Sequence, residues 1–311
     1  MSFRRLLALS TVLAVLALSG AAQPPAAQED LNDSHEKVMK EAVQKVAPSV
    51  VQILTQGGAD MVVTGPKGVV FRKGLGPTTG VIVSPDGYVI SSAFNFINNP
   101  TTILVGVAGH KEPFIAKRIA TDKSRFLTLL HMTDSDGKPV KGLPVPAFVP
   151  QKELQVGQWS LALGRTLDLK RTGPPSVSSG VISALGRVWG KAIQTDAKVS
   201  PVNYGGPLID VQGRVQGILI PASPRGEEET AGFEWYDSGI GFAVPMEHVV
   251  KLLPRLKEGK DLKKGLLGIR VKSQDMYGAV PEIGEVTANS AAARAGLKPG
   301  DVILEIDGHP V

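Results

Sequence analysis

Short apolar runs separated by turn residues dominate this chain between about residues 50 and 250. Val50–Leu54, Gly80–Val83, Val89–Ser91, Thr102–Val107, Leu127–His131 and Val215–Ile220 are rich in Val, Ile and Leu and have strand length. Turn residues punctuate them, as in Ser84-Pro85-Asp86-Gly87, and this spacing predicts antiparallel barrels or a sandwich. Two stretches depart from the pattern. Val38, Met39, Ala42, Val43 and Val46 recur at helical spacing behind an Asp33/Glu36 N-cap pair, and Pro48 stops them. Pro245–Leu256 places Val249, Val250, Leu252, Leu253 and Leu256 on a helical period as well. A charged connector, Lys257–Lys264, then leads to a final unit, 265–311, with one short helical signal at Ser290–Ala295 among further strands.

The N-terminus follows a different rule. Met1–Arg5 is basic, Leu6–Leu18 is apolar and Ser19-Gly20-Ala21-Ala22 is small. A membrane span needs about 20 apolar residues, so residues 1–22 are expected to be a secretory signal peptide. An uncleaved amphipathic anchor is the alternative. On this reading no integral membrane segment remains after cleavage.

Composition narrows the chemistry. The 311 residues contain 34 Lys+Arg against 29 Asp+Glu, for a net +5, and Arg4 and Arg5 leave with the signal segment. No basic block or aromatic-interleaved basic stripe is present, so no nucleic-acid partner is implied. The absence of Cys excludes disulfides, thiolate metal sites and a cysteine nucleophile. No metal or nucleotide motif is found, and no cofactor is implied. With 35 Gly, 23 Pro and only 5% aromatic residues, the chain suits a turn-rich β protein.

Five ordered segments carry more. They are Gly80–Phe94 (GVIVSPDGYVISSAF), Thr121–Leu130 (TDKSRFLTLL), Gly180–Arg187 (GVISALGR), Ile193–Leu208 (IQTDAKVSPVNYGGPL) and Gly239–Pro245 (GIGFAVP). Together the chain resembles the HtrA (Deg) family of trypsin-like serine proteases, from about Glu41 to the C-terminus. The resemblance implies a mainly β fold. Two six-stranded antiparallel β-barrels of the trypsin-like kind would occupy 23–256 with the N-terminal helix. A linker at 257–264 and a PDZ domain at 265–311 would follow. A PDZ groove has a strand wall and a helix wall, and Val311 precedes that helix, so a partial PDZ domain is expected.

The family's catalytic positions do not carry the family's chemistry. Acyl transfer needs a hydroxyl nucleophile, an imidazole base and a carboxylate to hold the imidazole. The resemblance places Phe94 where the His stands, Phe126 where the Asp stands and Tyr204 where the Ser stands, so no catalytic residue is assigned. The loop that should form the oxyanion hole reads Val202, Asn203, Tyr204, Gly205, and a β-branched Val202 in place of Gly tolerates unusual backbone angles poorly. Of 9 Phe, 3 Trp and 4 Tyr, three fall on these positions. Loss of the imidazole alone would strand a buried carboxylate at about 3–5 kcal/mol. Rings at all three positions avoid that and recover roughly 1.5–3 kcal/mol of burial each. The three rings are therefore expected to pack together.

The remaining candidates are weaker. His110 and His131 flank strands and read as strand residues rather than relocated bases, Ser200 lacks an evident base, and Ser34-x-x-Lys37 is a lone match. Peptide-binding candidates are Leu219 and Ile220, beside which a substrate strand would add, and the PDZ carboxylate loop Leu266, Leu267, Gly268 and Ile269. Pro221 removes a donor next to the first pair, so that segment either holds peptides weakly or carries only backbone strain; the loop residues could instead simply pack an edge strand. The expected function is that of an exported pseudoprotease of the periplasm or cell envelope. It would bind polypeptides or protein C-termini, or regulate active HtrA relatives, as a homo-oligomer of trimeric type. The alternatives are an active serine endopeptidase with a rebuilt site, and a structural subunit of an envelope assembly.

Overall fold

The computed structural model describes residues 26–58, 62–64, 70–72, 78–165, 173–222, 239–273, 275 and 280–311. The expected signal peptide lies outside them.

Helix α1 (Ala26–Val46) opens the described chain and ends in a turn at Ala47–Ser49 that carries Pro48. It starts seven residues before the expected N-cap, and Asp33 is an interior, exposed helix position. Ala26, Ala27, Gln28 and Glu29 favour helix, and a Glu36–Lys40 pair one turn apart supports the exposed surface. Tertiary burial reaches only the last turns, at Ala42, Val43 and Val46.

Strands β1 (Val50–Gln56), β2 (Val62–Thr64), β3 (Val70–Arg72), β4 (Thr78–Ser84), β5 (Tyr88–Ser92), β6 (Thr102–Gly106), β7 (Phe114–Asp122) and β8 (Leu127–Thr133) follow. Six of them close an antiparallel barrel in the order β1-β4-β5-β8-β7-β6, and β2 and β3 form a separate ribbon. Then come β9 (Trp159–Gly164), β10 (Ser176–Gly186), the short α2 (Arg187–Gly190), β11 (Ala192–Thr195), β12 (Pro207–Ile209), β13 (Val215–Ile220) and β14 (Gly241–Pro245). These strands close a second barrel, β10-β11-β14-β13-β12-β9. The two six-stranded barrels expected from the sequence are present.

The continuous apolar runs have a simple cause. Alternate residues of each strand fill two different cores. Val51, Ile53, Ile82, Val89, Leu130 and Met132 fill the first barrel, and Ala162, Ile182, Ile193, Leu208, Leu219 and Ala243 fill the second. Their neighbours Val50, Val81, Ile90 and Leu129 meet Leu161, Leu163, Ile218 and Val244 in a third core shared by both barrels. Helix α3 (Met246–Lys257) adds Val249 and Leu256 to this shared core.

The connector is docked rather than free. Leu262 N–H donates to Thr121 O at 2.9 Å, and Lys123 N–H donates to Leu262 O at 2.9 Å. Asp261 Oδ1 accepts from Thr121 N–H at 2.8 Å. The terminal unit contains β15 (Ile269–Val271), β16 (Ile283–Val286), α4 (Ala291–Arg294), β17 (Glu305–Ile306) and β18 (His309–Pro310), paired as two hairpin ribbons. Ser290 caps α4 by accepting from Ala293 N–H at 3.1 Å. Gly268 has φ +81, and a Cβ there would collide with the Ser290 side chain, so this loop requires glycine.

Candidate active-site region

The three positions of interest are set by three loops between barrel strands. At the end of β5, Ser92 Oγ accepts from Phe94 N–H at 3.3 Å and caps a single 3-10 turn, Ala93–Phe96. Phe94 is buried inside that turn. Between β7 and β8 the fully buried Asp122 organises the second loop. Its Oδ1 accepts from Ser124 N–H at 2.9 Å, Ser124 Oγ at 2.7 Å and Arg125 N–H at 3.2 Å, and its Oδ2 meets Arg125 Nη1 at 3.3 Å. This turn holds Phe126 at φ 58, a left-handed conformation that costs a residue with Cβ roughly 1–2 kcal/mol. Phe126 O then accepts from Ala93 N–H at 2.7 Å, tying the second loop to the first.

The third loop curls as successive turns. Asn203 N–H donates to Ser200 O at 2.9 Å, Tyr204 N–H to Pro201 O at 3.4 Å, and Gly206 N–H to Asn203 O at 2.8 Å. Asn203 Oδ1 reaches back to Ser200 N–H at 3.2 Å and Ser200 Oγ at 3.1 Å. Gly205, at φ +88, packs so closely that a Cβ would collide with Ser91 Oγ and Thr79 O.

Phe94 and Tyr204 meet edge to face, with ring centroids 5.6 Å apart and an interplanar angle of 83°. Such pairs contribute about 0.5–1.5 kcal/mol beyond their burial. Phe126 does not join them in a ring contact. Its side chain belongs to the shared core with Ala93, Leu127 and Leu129. The expected three-ring cluster is therefore a pair plus a separate core ring. The left-handed backbone at 126 directs that side chain into the apolar core between the barrels.

Beneath the pair lies a polar floor that sequence reasoning missed. Asn95, fully buried, donates from Nδ2 to Tyr204 O at 2.8 Å and to Ser91 Oγ at 2.9 Å. Ser91 Oγ donates to Thr79 O at 2.7 Å, and Thr79 Oγ1 donates to Val202 O at 2.9 Å. The available signal was a lone amide within the apolar run Ala93-Phe94-Asn95-Phe96-Ile97.

Comparison with known proteins decides the lineage. A trypsin-like peptidase domain model matches residues 78–218 and a PDZ domain model matches 255–311. A probable periplasmic serine endoprotease, DegP-like, of Pseudomonas fluorescens is 32% identical over 260 residues, covering 79% of this chain and 50% of that protein. The protein of the same description from Halomonas elongata is 32% identical over 254 residues, covering 77% and 49%. The chain belongs to the HtrA/DegP-like serine protease family. It spans about half the length of these curated relatives. Among solved structures, the HtrA-type protease AlgW with tripeptide superposes with a TM-score of 0.64 at 26% identity, covering 88% of this chain and 84% of that one. A serine endoprotease from Yersinia pestis gives 0.61 at 26% identity, covering 88% and 83%.

Within this HtrA chain, His35, His110 and His131 are engaged elsewhere. His35 lies against Trp159 with centroids 4.8 Å apart, and His110 lies against Phe114 at 5.0 Å. His131 stacks on Tyr88 at 4.3 Å and its Nε2 lies 3.0 Å from Asp86 O. The side chain of His309 is outside the described residues. The Ser200 hydroxyl, bonded to Asn203, stabilises the turn and has no described imidazole partner. Among the described residues no cluster of three or more His, Asp or Glu could hold a metal ion.

Beside Tyr204 the described residues leave little space. The recess lined by Val199, Tyr204, Ile220, Pro221, Ala222 and Phe242 has a volume of about 10 Å³, at the limit for one water molecule. Leu219 and Ile220 are buried. Leu219 also donates to Gly206 O at 2.9 Å and accepts from Gly205 N–H at 2.8 Å, so its backbone is already paired. In the terminal unit, by contrast, Leu266 is 82% exposed, Leu267 is 49% exposed and Ile269 is half-buried.

His248, on α3, gives this region a pH response. Its Nδ1 is buried without a hydrogen-bond partner. Burial first, then the positive charges of Arg125 and Lys251, push its pKa below the ordinary imidazole value, and Glu247 opposes them. The unfolded chain therefore binds this proton more readily, and the stabilising difference is lost as pH falls through and below about 6.5. The drop in melting temperature between about pH 7.5 and about pH 5 is expected to be smaller in His248→Gln than in the parent protein.

Proposed function

We propose that this HtrA-family chain binds polypeptides in the periplasm without hydrolysing them. The observation that carries the reading is the Phe94–Tyr204 ring pair, which fills the positions where the family needs an imidazole beside a hydroxyl. The turn at Ser200–Tyr204 supports it, because Tyr204 N–H points to Pro201 O rather than to a developing oxyanion. The periplasmic location follows the names of the relatives, and no helix among the described residues is long and apolar enough to cross a membrane.

Binding falls to the PDZ unit. The Leu266–Ile269 loop has exposed apolar side chains and a left-handed Gly268, features suited to receiving the carboxylate and last side chain of a protein C-terminus. Assembly as a homo-oligomer, with itself or with active relatives, would bring several such loops to one client and raise avidity.

Incubation with casein and labelling with a fluorophosphonate probe test the absence of hydrolysis. No turnover and no label are expected. Labelling that disappears only in Ser200→Ala would replace this reading with that of an endopeptidase using a rebuilt site.

A further inference from the structure

A cavity lies between the first barrel and the docked linker. Its volume is about 200 Å³, and Phe96, Asn99, Arg118, Thr121, Lys123 and Asp261 are among its walls. Three elements meet there: the turn that carries Phe94, strand β7 and the linker to the PDZ unit. The lining is dominated by hydrogen-bonding groups, unlike the apolar barrel interiors.

We propose that this cavity is a binding site for a small oxyanion, a phosphate or carboxylate, that fastens the linker to the first barrel. Arg118 is already oriented, with Nη1 donating to Asn99 Oδ1 at 3.1 Å, and the planar guanidinium retains further donors suited to an oxyanion. Lys123 supplies a second positive charge from the next turn of the chain. Thr121 and Thr128 place two hydroxyls in the wall, hydrogen-bonded to each other at 3.0 Å, which leaves one O–H to offer a ligand. Among the described walls Asp261 is the one acidic residue, and its Oδ1 is engaged by Thr121 N–H. The walls thus carry two cationic side chains against one carboxylate, which favours an anion of low charge.

Position gives such a site a consequence. The Asp261 carboxylate and the Leu262 backbone attach the linker to the end of β7 through hydrogen bonds at Thr121 and Lys123. An anion held between β7 and the linker would bind the docked form and not the released one, and so would suppress release by mass action.

Limited trypsin digestion of the full chain reads this directly, because Lys260, Lys263 and Lys264 lie in the linker. With inorganic phosphate at about ten times its Kd, linker cleavage is expected to slow about ten-fold relative to chloride of matched ionic strength. Acetate in place of phosphate separates a carboxylate site from a phosphate site: protection by either supports the proposal and names the preferred anion. Arg118→Gln and Lys123→Gln alter exposed side chains and should abolish the protection while leaving cleavage in chloride unchanged. Equal cleavage in phosphate, acetate and chloride, or protection that persists in both variants, would overturn the proposal.

Discussion

Restoring the family triad by Phe94→His, Phe126→Asp and Tyr204→Ser together is expected to leave casein uncut and to destabilise the barrels severely. Three side chains would return, but the hole would not. Tyr204 N–H donates to Pro201 O, Val202 O is held by Thr79, and Val202 keeps a β-branched residue where the family has glycine. Loss of oxyanion stabilisation alone costs about 10²–10³ in rate. The stability penalty comes mainly from residue 126, whose ring packs in the core shared by both barrels. A carboxylate there loses that packing and is desolvated. With the other two rings removed, the total is on the order of 5–10 kcal/mol, comparable to the stability of a whole domain. Urea unfolding followed by Trp fluorescence measures it. The single variant Tyr204→Ser retains both Phe rings and separates chemistry from folding. It is expected to fold and to remain unlabelled by a fluorophosphonate. Labelling at residue 204 would show that the turn can open into a working hole.

Arg165→Met is expected to destabilise the protein by about 3–5 kcal/mol, although residue 165 is not one of the three triad-equivalent positions. Arg165 is among the largest fully buried side chains, 2% exposed. Its Nε donates to Val50 O at 2.8 Å, Nη1 to Gly173 O at 2.8 Å and Nη2 to Ala47 O at 3.1 Å. Its backbone N–H donates to Thr79 Oγ1 at 2.8 Å. One side chain therefore joins the end of α1, the start of β1 and the loop before β10. Methionine fills similar volume but leaves those carbonyls without their donor. Arg165→Lys should recover only part of the loss, because a single ammonium cannot reproduce the fork. A shift in the urea midpoint equivalent to less than about 1 kcal/mol would mean that these carbonyls find other partners.

Phe126 and Arg165 mark how far local sequence patterns reach. The strands named from their apolar runs were legible because they are buried on both faces, as in Val50–Leu54 and Val215–Ile220, whereas β7 and β10 are exposed along much of their length and leave no such run. The expected helix at Pro245–Leu256 appears as Met246–Lys257 for a similar reason, since one stripe of α3 packs into the shared core. Helix α1 was placed too short, because residues 30–37 are exposed and carry no apolar period. The charged connector carries no apolar period, yet it docks through the Asp261 carboxylate and the Leu262 backbone onto residues 121–123, a contact that no local pattern encodes.

By itself the sequence determined the family resemblance and a β-rich fold, and through the resemblance the two barrels and the alignment of Phe94, Phe126 and Tyr204 with the family's triad. These are written in contiguous motifs and in short apolar runs. Only the tertiary structure decided that Phe94 and Tyr204 pair while Phe126 turns into the core, and that Asn95, Thr79 and Arg165 hold the region together. Those contacts join residues far apart in the chain: Asn95 to Tyr204 across 109 positions, Arg165 to Val50 across 115 and Thr79 to Val202 across 123. A hydrogen bond depends on where two polar atoms meet after the barrels close, and no local period records that meeting.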